Sequence, residues 1–330
     1  ARKIKGELHQ MKNWEDHIPS NVQNKLDALG DEGLQWKKDL NTVIDCIAKE
    51  WRLSLEQILE GGSEAFVAKC ALSNQEKGIL KLFMPQLEGN PEFEQQVEAL
   101  RVVNGAGYVK LLKYDVKRKA VLLECLGEPL SESDYSIRDQ MKIICGLLKK
   151  TWIPLDEKHE LRLMGQLIGW FQDFILSTWE KLEQPCSKEI IERAILFLES
   201  RRKSLSSYQP VLVHGDPHAD NILKTLDSNK LSYKLIDPDG ILGEPAYDLG
   251  ILVREWVEEL GDAPLEKANE RVLLLHNETG VEKQSIWEWA FIQSVSTGLF
   301  LKVIQEHGLG DSLLRIAQEW LRFEQFPVPV

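Results

Sequence analysis

Cysteine is scarce in this 330-residue chain, and the five present (Cys46, Cys70, Cys125, Cys145, Cys186) are odd in number and scattered. There is no C-x-x-C pair and no His/Cys cluster. That excludes a disulfide framework and a zinc ribbon, and it is the pattern of reduced, mostly buried thiols in a cytoplasmic protein. No apolar run reaches the roughly eighteen residues of a membrane span, so no membrane association is expected. The opening Ala1-Arg2-Lys3-Ile4-Lys5 lacks the apolar stretch of a signal peptide. Internal repeats and low-complexity tracts are also missing. Positive charge is in deficit, with 40 Lys and Arg against 52 Asp and Glu, a formal net charge of -12. Nucleic-acid binders present basic stripes, so no nucleic-acid partner is expected, and the acidic balance suits a small cationic one.

What the chain has is a hydrophobic content of 43%, enough for a substantial core, and ten Trp, which suggest broad flat contacts or a roomy cleft. The length allows one large domain or two ordinary ones. The most informative stretch is Val213-His214-Gly215-Asp216-Pro217-His218-Ala219-Asp220-Asn221-Ile222-Leu223, followed by Lys234-Leu235-Ile236-Asp237-Pro238-Asp239-Gly240. Each is a polar cluster between apolar strand-like runs, where chemistry is commonly placed. The residue types suit phosphoryl transfer. Asp216 can orient an attacking hydroxyl and accept its proton, while Asn221 and Asp237 offer a neutral and an anionic oxygen to Mg²⁺. The order and the five-residue Asp-to-Asn spacing match the protein-kinase pattern H-R-D-x-x-x-x-N followed by D-F-G.

On these residues the sequence resembles the aminoglycoside phosphotransferases, protein-kinase-like kinases of small molecules. Gly243-Glu244-Pro245-Ala246-Tyr247-Asp248-Leu249 resembles a further segment of that family. Gly30-Asp31-Glu32-Gly33-Leu34-Gln35-Trp36 and Trp51-Arg52-Leu53 are similar to the streptomycin 6-phosphotransferase and hydroxyurea phosphotransferase branch. The resemblance implies an α+β, two-lobed protein-kinase-like fold. An antiparallel-sheet nucleotide-binding lobe with a helical preface would span residues 1–125, and a mostly helical catalytic and substrate-binding lobe residues 126–330. Nucleotide is expected in the cleft between them.

Along the chain, residues 1–60 read as mainly helix, with Leu40, Val43, Ile44 and Ile47 at helical spacing. Strand, glycine turn and strand follow through Gly61, Gly62 and Ser63 to Ala65–Leu72; by position this is the family's nucleotide-covering loop, whose free N–H groups hold phosphate oxygens. Lys81, a charge inside the apolar strand Ile79–Phe83, resembles the kinase strand lysine that contacts the α/β-phosphates and a helix Glu. The helix expected over Pro91–Asn104 departs from the family pattern, since Gln96 stands where that Glu belongs. Glu94 and Glu98 flank it on one face, and Glu98 is the preferred partner. Residues 108–112 and 120–124 read as paired strands, after which the backbone of Glu124 and Leu126 would meet the adenine edge by resemblance. Helices are expected over Ile137–Lys150, with Ser136 as N-cap, then 163–182 and 189–198. Tyr233–Ile236 is expected opposite Leu212–Val213. By resemblance Asp248 supports the catalytic-loop backbone, and His214 is scaffold. His218 can contact phosphate or serve structurally. After Asp248 a helix is expected over 249–260, with Glu255, Trp256 and Glu259 as acceptor-side candidates. Trp287 and Trp289 either line that cleft or pack between helices.

The expected function is transfer of the γ-phosphoryl group of ATP (or GTP), with Mg²⁺, to a hydroxyl of an aminoglycoside. The implied acceptor is streptomycin and the implied outcome antibiotic resistance. A metabolic kinase acting on choline, homoserine or a sugar is the alternative within the fold, because fold and motif fix the phosphoryl chemistry and not the acceptor. A non-catalytic nucleotide-binding pseudokinase is the alternative from another class, against which the intact Asp216, Asn221 and Asp237 argue. Monomer and dimer are both compatible with the sequence.

Overall fold

The computed structural model describes residues 13–60, 65–85, 92–156, 158–226 and 232–323. By internal contacts the chain divides into two compact units, residues 1–105 with 109–127, and residues 106–108 with 128–330.

In the first unit, helices α1 (Ser20–Ala28) and α2 (Asp31–Trp51) precede a sheet of β1 (Leu53–Ile58), β2 (Ala65–Leu72), β3 (Lys77–Phe83), β4 (Leu111–Asp115) and β5 (Ala120–Glu124), with α3 (Glu92–Val103) between β3 and β4. The strand order is β1-β2-β3-β5-β4 and all pairings are antiparallel. Asp31 and Glu32 favour the start of α2, where the helix dipole presents its positive end. Arg52 ends it by adopting the left-handed conformation (φ 56°), and β1 begins at the next residue. The strand thus starts inside the stretch that reads as helix from sequence. Leu40, Ile44 and Ile47 recur on one face of α2 and bury against Phe66, Ala68 and Cys70 of β2, Leu80 and Leu82 of β3, and Ala120 and Leu122 of β5. Those are alternate strand residues, so α2 covers one face of the sheet and the intervening residues, Lys81 among them, point to the other.

The second unit is mostly helical: α4 (Ile137–Thr151), α5 (Met164–Lys181), α6 (Lys188–Ser204), α7 (Ala246–Arg254), α8 (Val257–Leu260), α9 (Pro264–Thr279), α10 (Lys283–Val303) and α11 (His307–Trp320). Ser136 caps α4 as expected, accepting from the Asp139 N–H at 3.2 Å. Helix α10 is buried almost all round from Ser285 to Leu299, the pattern of a helix at the centre of a bundle. Trp287 and Trp289 are fully buried, so both pack rather than line a cleft, and Trp320 packs beside Trp287. Helix α7 lies so close to α10 that a Cβ on Gly250 would fall 2.7 Å from the Trp289 side chain and 2.8 Å from the Ala290 nitrogen. The expected 249–260 helix breaks at Glu255–Trp256, where Trp256 takes φ 51°.

Short ladders complete this unit. β7 (Val211–Val213) pairs with β10 (Ile241–Gly243), which also pairs with β6 (Arg162–Leu163), while β8 (Ile222–Lys224) pairs with β9 (Tyr233–Leu235). Residues 233–235 therefore lie opposite 222–224 and not opposite Leu212–Val213. The reason is that both polar segments turn the chain through glycines at positive φ, Gly215 at 101° and Gly240 at 67°. Each segment thus runs from one ladder to the other, 214–221 from β7 to β8 and 236–240 from β9 to β10, which sets the two side by side.

Ile44 is 1% exposed at the centre of the α2–sheet contact. Ile44→Ala should lower unfolding stability by about 2–4 kcal/mol, the range for emptying such a site. Denaturant titration of the variant checks this, and a change under about 0.5 kcal/mol would contradict the packing described.

Candidate active site

The two polar segments are tied together by backbone bonds. Asp248 at the start of α7 is fully buried. Its Oδ1 accepts from the Gly215 N–H and its Oδ2 from the His214 N–H, each at 2.9 Å; Oδ2 also accepts from Trp152 Nε1 at 2.9 Å. Burial raises the Asp248 pKa, while neighbouring His214 and these donors oppose the rise. His214, also buried, stacks on Tyr108 with ring centroids 5.6 Å apart. Its Nδ1 accepts from the Asp216 N–H at 3.1 Å and its Nε2 donates to the Ile236 carbonyl at 2.8 Å, so the two partners fix the tautomer. Burial lowers its pKa, which keeps the ring neutral and suited to this scaffold role. On the other strand of the crossing, Asp239 N–H donates to the His214 carbonyl at 2.8 Å. A Cβ on Gly215 would meet the Asp239 carboxylate at 2.4 Å, so both the positive φ and this close approach demand glycine.

This scaffold brings Asp216, Asn221 and Asp237 to one place. Asn221 Nδ2 donates to the Asp216 carbonyl at 3.0 Å, and the Ile236 N–H donates to the Asn221 carbonyl at 2.9 Å, extending the β8–β9 ladder by one rung. With its amide nitrogen engaged by the loop, the Asn221 Oδ1 acceptor is the atom suited to a cation. Asp237 follows at once, in the left-handed conformation (φ 54°). One amide oxygen and one carboxylate fit Mg²⁺, which completes its shell with phosphate oxygens and water. Among the described residues no group of three or more His, Cys, Asp and Glu side chains is placed to hold a metal by itself, and such a Mg²⁺ needs none.

Asp216 keeps 44% of its side chain exposed and sits between two cations. His218 Nε2 is 3.3 Å from Oδ2, and Arg254 Nη2 is 4.0 Å from Oδ1. Burial works against ionised Asp216, but the His218 hydrogen bond and the charges of His218 and Arg254 outweigh it and hold the carboxyl below its ordinary pKa. Burial likewise lowers His218, and Asp216 with Glu255 and Asp220 outweighs it, carrying the imidazole up to about 8. Arg254 is the group a linear reading misses, because it lies 38 positions from Asp216 and no spacing rule links the two.

The acceptor-side candidates are held internally. The Glu255 carboxylate accepts from Arg254 Nη1 at 2.7 Å. Glu259 pairs with Arg271, and also with Lys267 at 3.6 Å. Trp256 is half-buried with its ring 5.6 Å from the Arg271 guanidinium carbon. Arg271 also donates to the carbonyls of Val253 and Glu255, so it pins the whole 253–259 segment.

In the first unit, Lys81 is 7% exposed on β3, in register with Val67 and Val121. Its ammonium lies 4.7 Å from the Phe83 ring centroid and donates to Gln96 Oε1 at 3.4 Å. Gln96, buried on α3 at the position where the resemblance places the partner Glu, is thus one helix residue in contact with Lys81. Glu94 lies 3.5 Å from Lys119 and Glu98 3.2 Å from Arg101. Glu124 closes β5, with its carboxylate accepting from the Lys110 N–H at 2.7 Å, and Leu126 lies two residues beyond. Gly61, Gly62 and Ser63 lie outside the described residues.

Asp248→Asn replaces one acceptor oxygen with an NH₂ that faces existing donors. It should cost about 2–4 kcal/mol of stability, the scale of lost hydrogen bonds to a buried charge, and should lower turnover at the same time. Denaturant titration with parallel kinetics checks this; unchanged stability would contradict the anchoring role.

The family model described as aminoglycoside/hydroxyurea antibiotic resistance kinase matches residues 50–303. The streptomycin 6-kinase of Streptomyces glaucescens is 24% identical over 225 residues, covering 67% of this chain and 69% of that protein. Among solved structures, choline kinase LicA from Streptococcus pneumoniae aligns with a TM-score of 0.59 at 17% identity, covering 86% of this chain and 99% of the other. The aminoglycoside phosphotransferase APH(3'')-Id from Streptomyces rimosus aligns with a TM-score of 0.54 at 14% identity, covering 78% and 98%. The fold is therefore protein-kinase-like, the activity that of a small-molecule phosphotransferase using a nucleotide donor, and the chain belongs to the aminoglycoside/hydroxyurea antibiotic resistance kinase family.

Proposed function

We propose that the protein transfers the γ-phosphoryl group of Mg·ATP to a hydroxyl of an aminoglycoside, with streptomycin as the first acceptor to try, and that it acts in the cytoplasm as a resistance enzyme. The observation that carries the reading is the joining of Asp216, Asn221 and Asp237 through the bonds of Asn221 to the Asp216 carbonyl and of Ile236 to Asn221. The acceptor rests on the family description and on the relative named streptomycin 6-kinase.

In this reading Asp216 orients the acceptor hydroxyl and takes its proton. Its depressed pKa makes it a weak base, which suits a loose transition state in which the proton leaves late. Asn221 Oδ1 and the Asp237 carboxylate would hold Mg²⁺, which would supply charge neutralisation at the phosphates. Lys81 meets the α/β-phosphates, with Gln96 positioning its ammonium. The backbone of Glu124 and Leu126 takes the nucleotide base, adenine or guanine.

A second reading, a metabolic kinase for a neutral hydroxylated acceptor such as a sugar, is favoured by one observation. Glu255 and Glu259, the acidic groups expected to hold a cationic acceptor, are already engaged by Arg254, Arg271 and Lys267.

Transfer from Mg·ATP and Mg·GTP to streptomycin, other aminoglycosides, choline, homoserine and a panel of sugars, with Asp216→Asn alongside, tests the proposal. Streptomycin should be phosphorylated, and Asp216→Asn should lose about 10²–10⁴-fold in turnover while still binding Mg·ATP. Near-normal turnover by the variant would remove Asp216 as base. Transfer to a sugar and to no aminoglycoside would establish the second reading instead.

A further inference from the structure

Arg254 is the last residue of a helix whose residues 246–253 are all buried, so its backbone is fixed by packing. The chain beyond it is fixed too, because Arg271 donates to the carbonyls on either side, those of Val253 and Glu255. The guanidinium is 14% exposed and uses Nη1 on the Glu255 carboxylate at 2.7 Å. That bond occupies Nη1, while Nη2, on the edge it shares with Nε, faces the reacting carboxylate. Nη2 lies 4.0 Å from Asp216 Oδ1, within ion-pair range and beyond a hydrogen bond. Nε is buried without a hydrogen-bond partner among the described residues. A guanidinium edge of two adjacent N–H donors is matched by two oxygens of one tetrahedral or carboxylate anion. Buried polar groups normally find partners, so an unsatisfied donor beside a reactive carboxylate marks a place where a ligand atom completes the set.

The chemistry at Asp216 says which ligand atoms those are. An acceptor hydroxyl held by Asp216 places the phosphorus it attacks within a few ångströms of that carboxylate. Negative charge then builds on the phosphoryl oxygens next to a carboxylate that is itself ionised, and a fixed cation between them relieves the repulsion. Resting on the phosphoryl-transfer reading of Asp216, we propose that Arg254 is a catalytic residue whose Nε–Nη2 edge contacts the oxygens of the transferring phosphoryl group. The acceptor oxygen–phosphorus bond forms as the bond from phosphorus to the β,γ-bridging oxygen breaks. The electron pair of that bond stays on the departing nucleoside diphosphate, and the acceptor proton passes to Asp216. Arg254 exchanges no proton, and Glu255 keeps its guanidinium oriented throughout.

The test compares Arg254→Ala, Arg254→Lys and Asp216→Asn in the full chain. Three readouts are taken: streptomycin phosphorylation, intrinsic Mg·ATP hydrolysis, and binding of Mg·ADP with and without aluminium fluoride. Arg254→Ala should lower kcat, and intrinsic hydrolysis where streptomycin is not an acceptor, by about 10²–10⁴-fold, somewhat below the span of an arginine supplied to a phosphoryl transition state. The KM for streptomycin and the affinity for Mg·ADP alone should move less than about threefold, while the tightening by aluminium fluoride is lost. Arg254→Lys should recover part of the rate as a point charge, and millimolar guanidinium should rescue Arg254→Ala, which a merely structural role would not allow. Arg254→Ala with kcat within about threefold of the parent, beside an inactive Asp216→Asn, would overturn the proposal. A raised acceptor KM with unchanged kcat would also overturn it, making Arg254 an acceptor-binding group. Turnover retained by Asp216→Asn would instead bring down the reading on which the proposal rests.

Discussion

One buried carboxylate governs the site. Asp248 takes the N–H groups of His214 and Gly215 and the indole N–H of Trp152, and so fixes where the 214–221 segment begins. From that point the rest follows by short bonds. His214 holds the Asp216 N–H on one ring nitrogen and the Ile236 carbonyl on the other, and Asn221 then locks to both segments. Asp248 is itself fixed because its helix is clamped against α10 at Gly250. The segment leading into that helix is held by Glu244, which accepts from Trp289 at 2.7 Å and lies 3.3 Å from the buried Arg201. Core packing and a single desolvated charge therefore set the geometry of residues that are themselves half-exposed.

The electrostatics at Asp216 differ from what the overall acidity of the chain suggests. A net charge of -12 points to a cationic ligand, yet the groups flanking Asp216 are His218 and Arg254. The nearby acids Glu255 and Glu259 serve to orient arginines. Such an arrangement favours negative charge beside Asp216, which is the demand of phosphoryl transfer whatever the acceptor. Overall charge thus says little about the surroundings of Asp216.

Much of the fold was legible because its signals are local. The helical spacing of Leu40, Ile44 and Ile47, the cap at Ser136 and the five-residue interval from Asp216 to Asn221 are short-range signals, and the α+β class came with the family resemblance that the 213–249 motifs carry. Gln96 stood out as a departure before its contact with Lys81 was visible. What the sequence concealed is non-local. The pairing of the small ladders depends on two positive-φ glycines that turn the chain between sheets. The approach of Arg254 to Asp216 depends on where α7 docks, which α10 decides. The helix break at Trp256 is stabilised by Arg271, fifteen residues on. The many tryptophans suggested a cleft, whereas Trp287, Trp289 and Trp320 fill the core, since buried apolar area and a roomy surface have the same composition.

The most direct test of the phosphoryl-transfer site is a crystal structure with Mg²⁺ and a non-hydrolysable ATP analogue. It should show the ion bonded to Asn221 Oδ1 and the Asp237 carboxylate at about 2.1 Å, with the γ-phosphate facing Asp216. A metal–nucleotide complex bound away from Asn221 and Asp237 would contradict the assignment of the site.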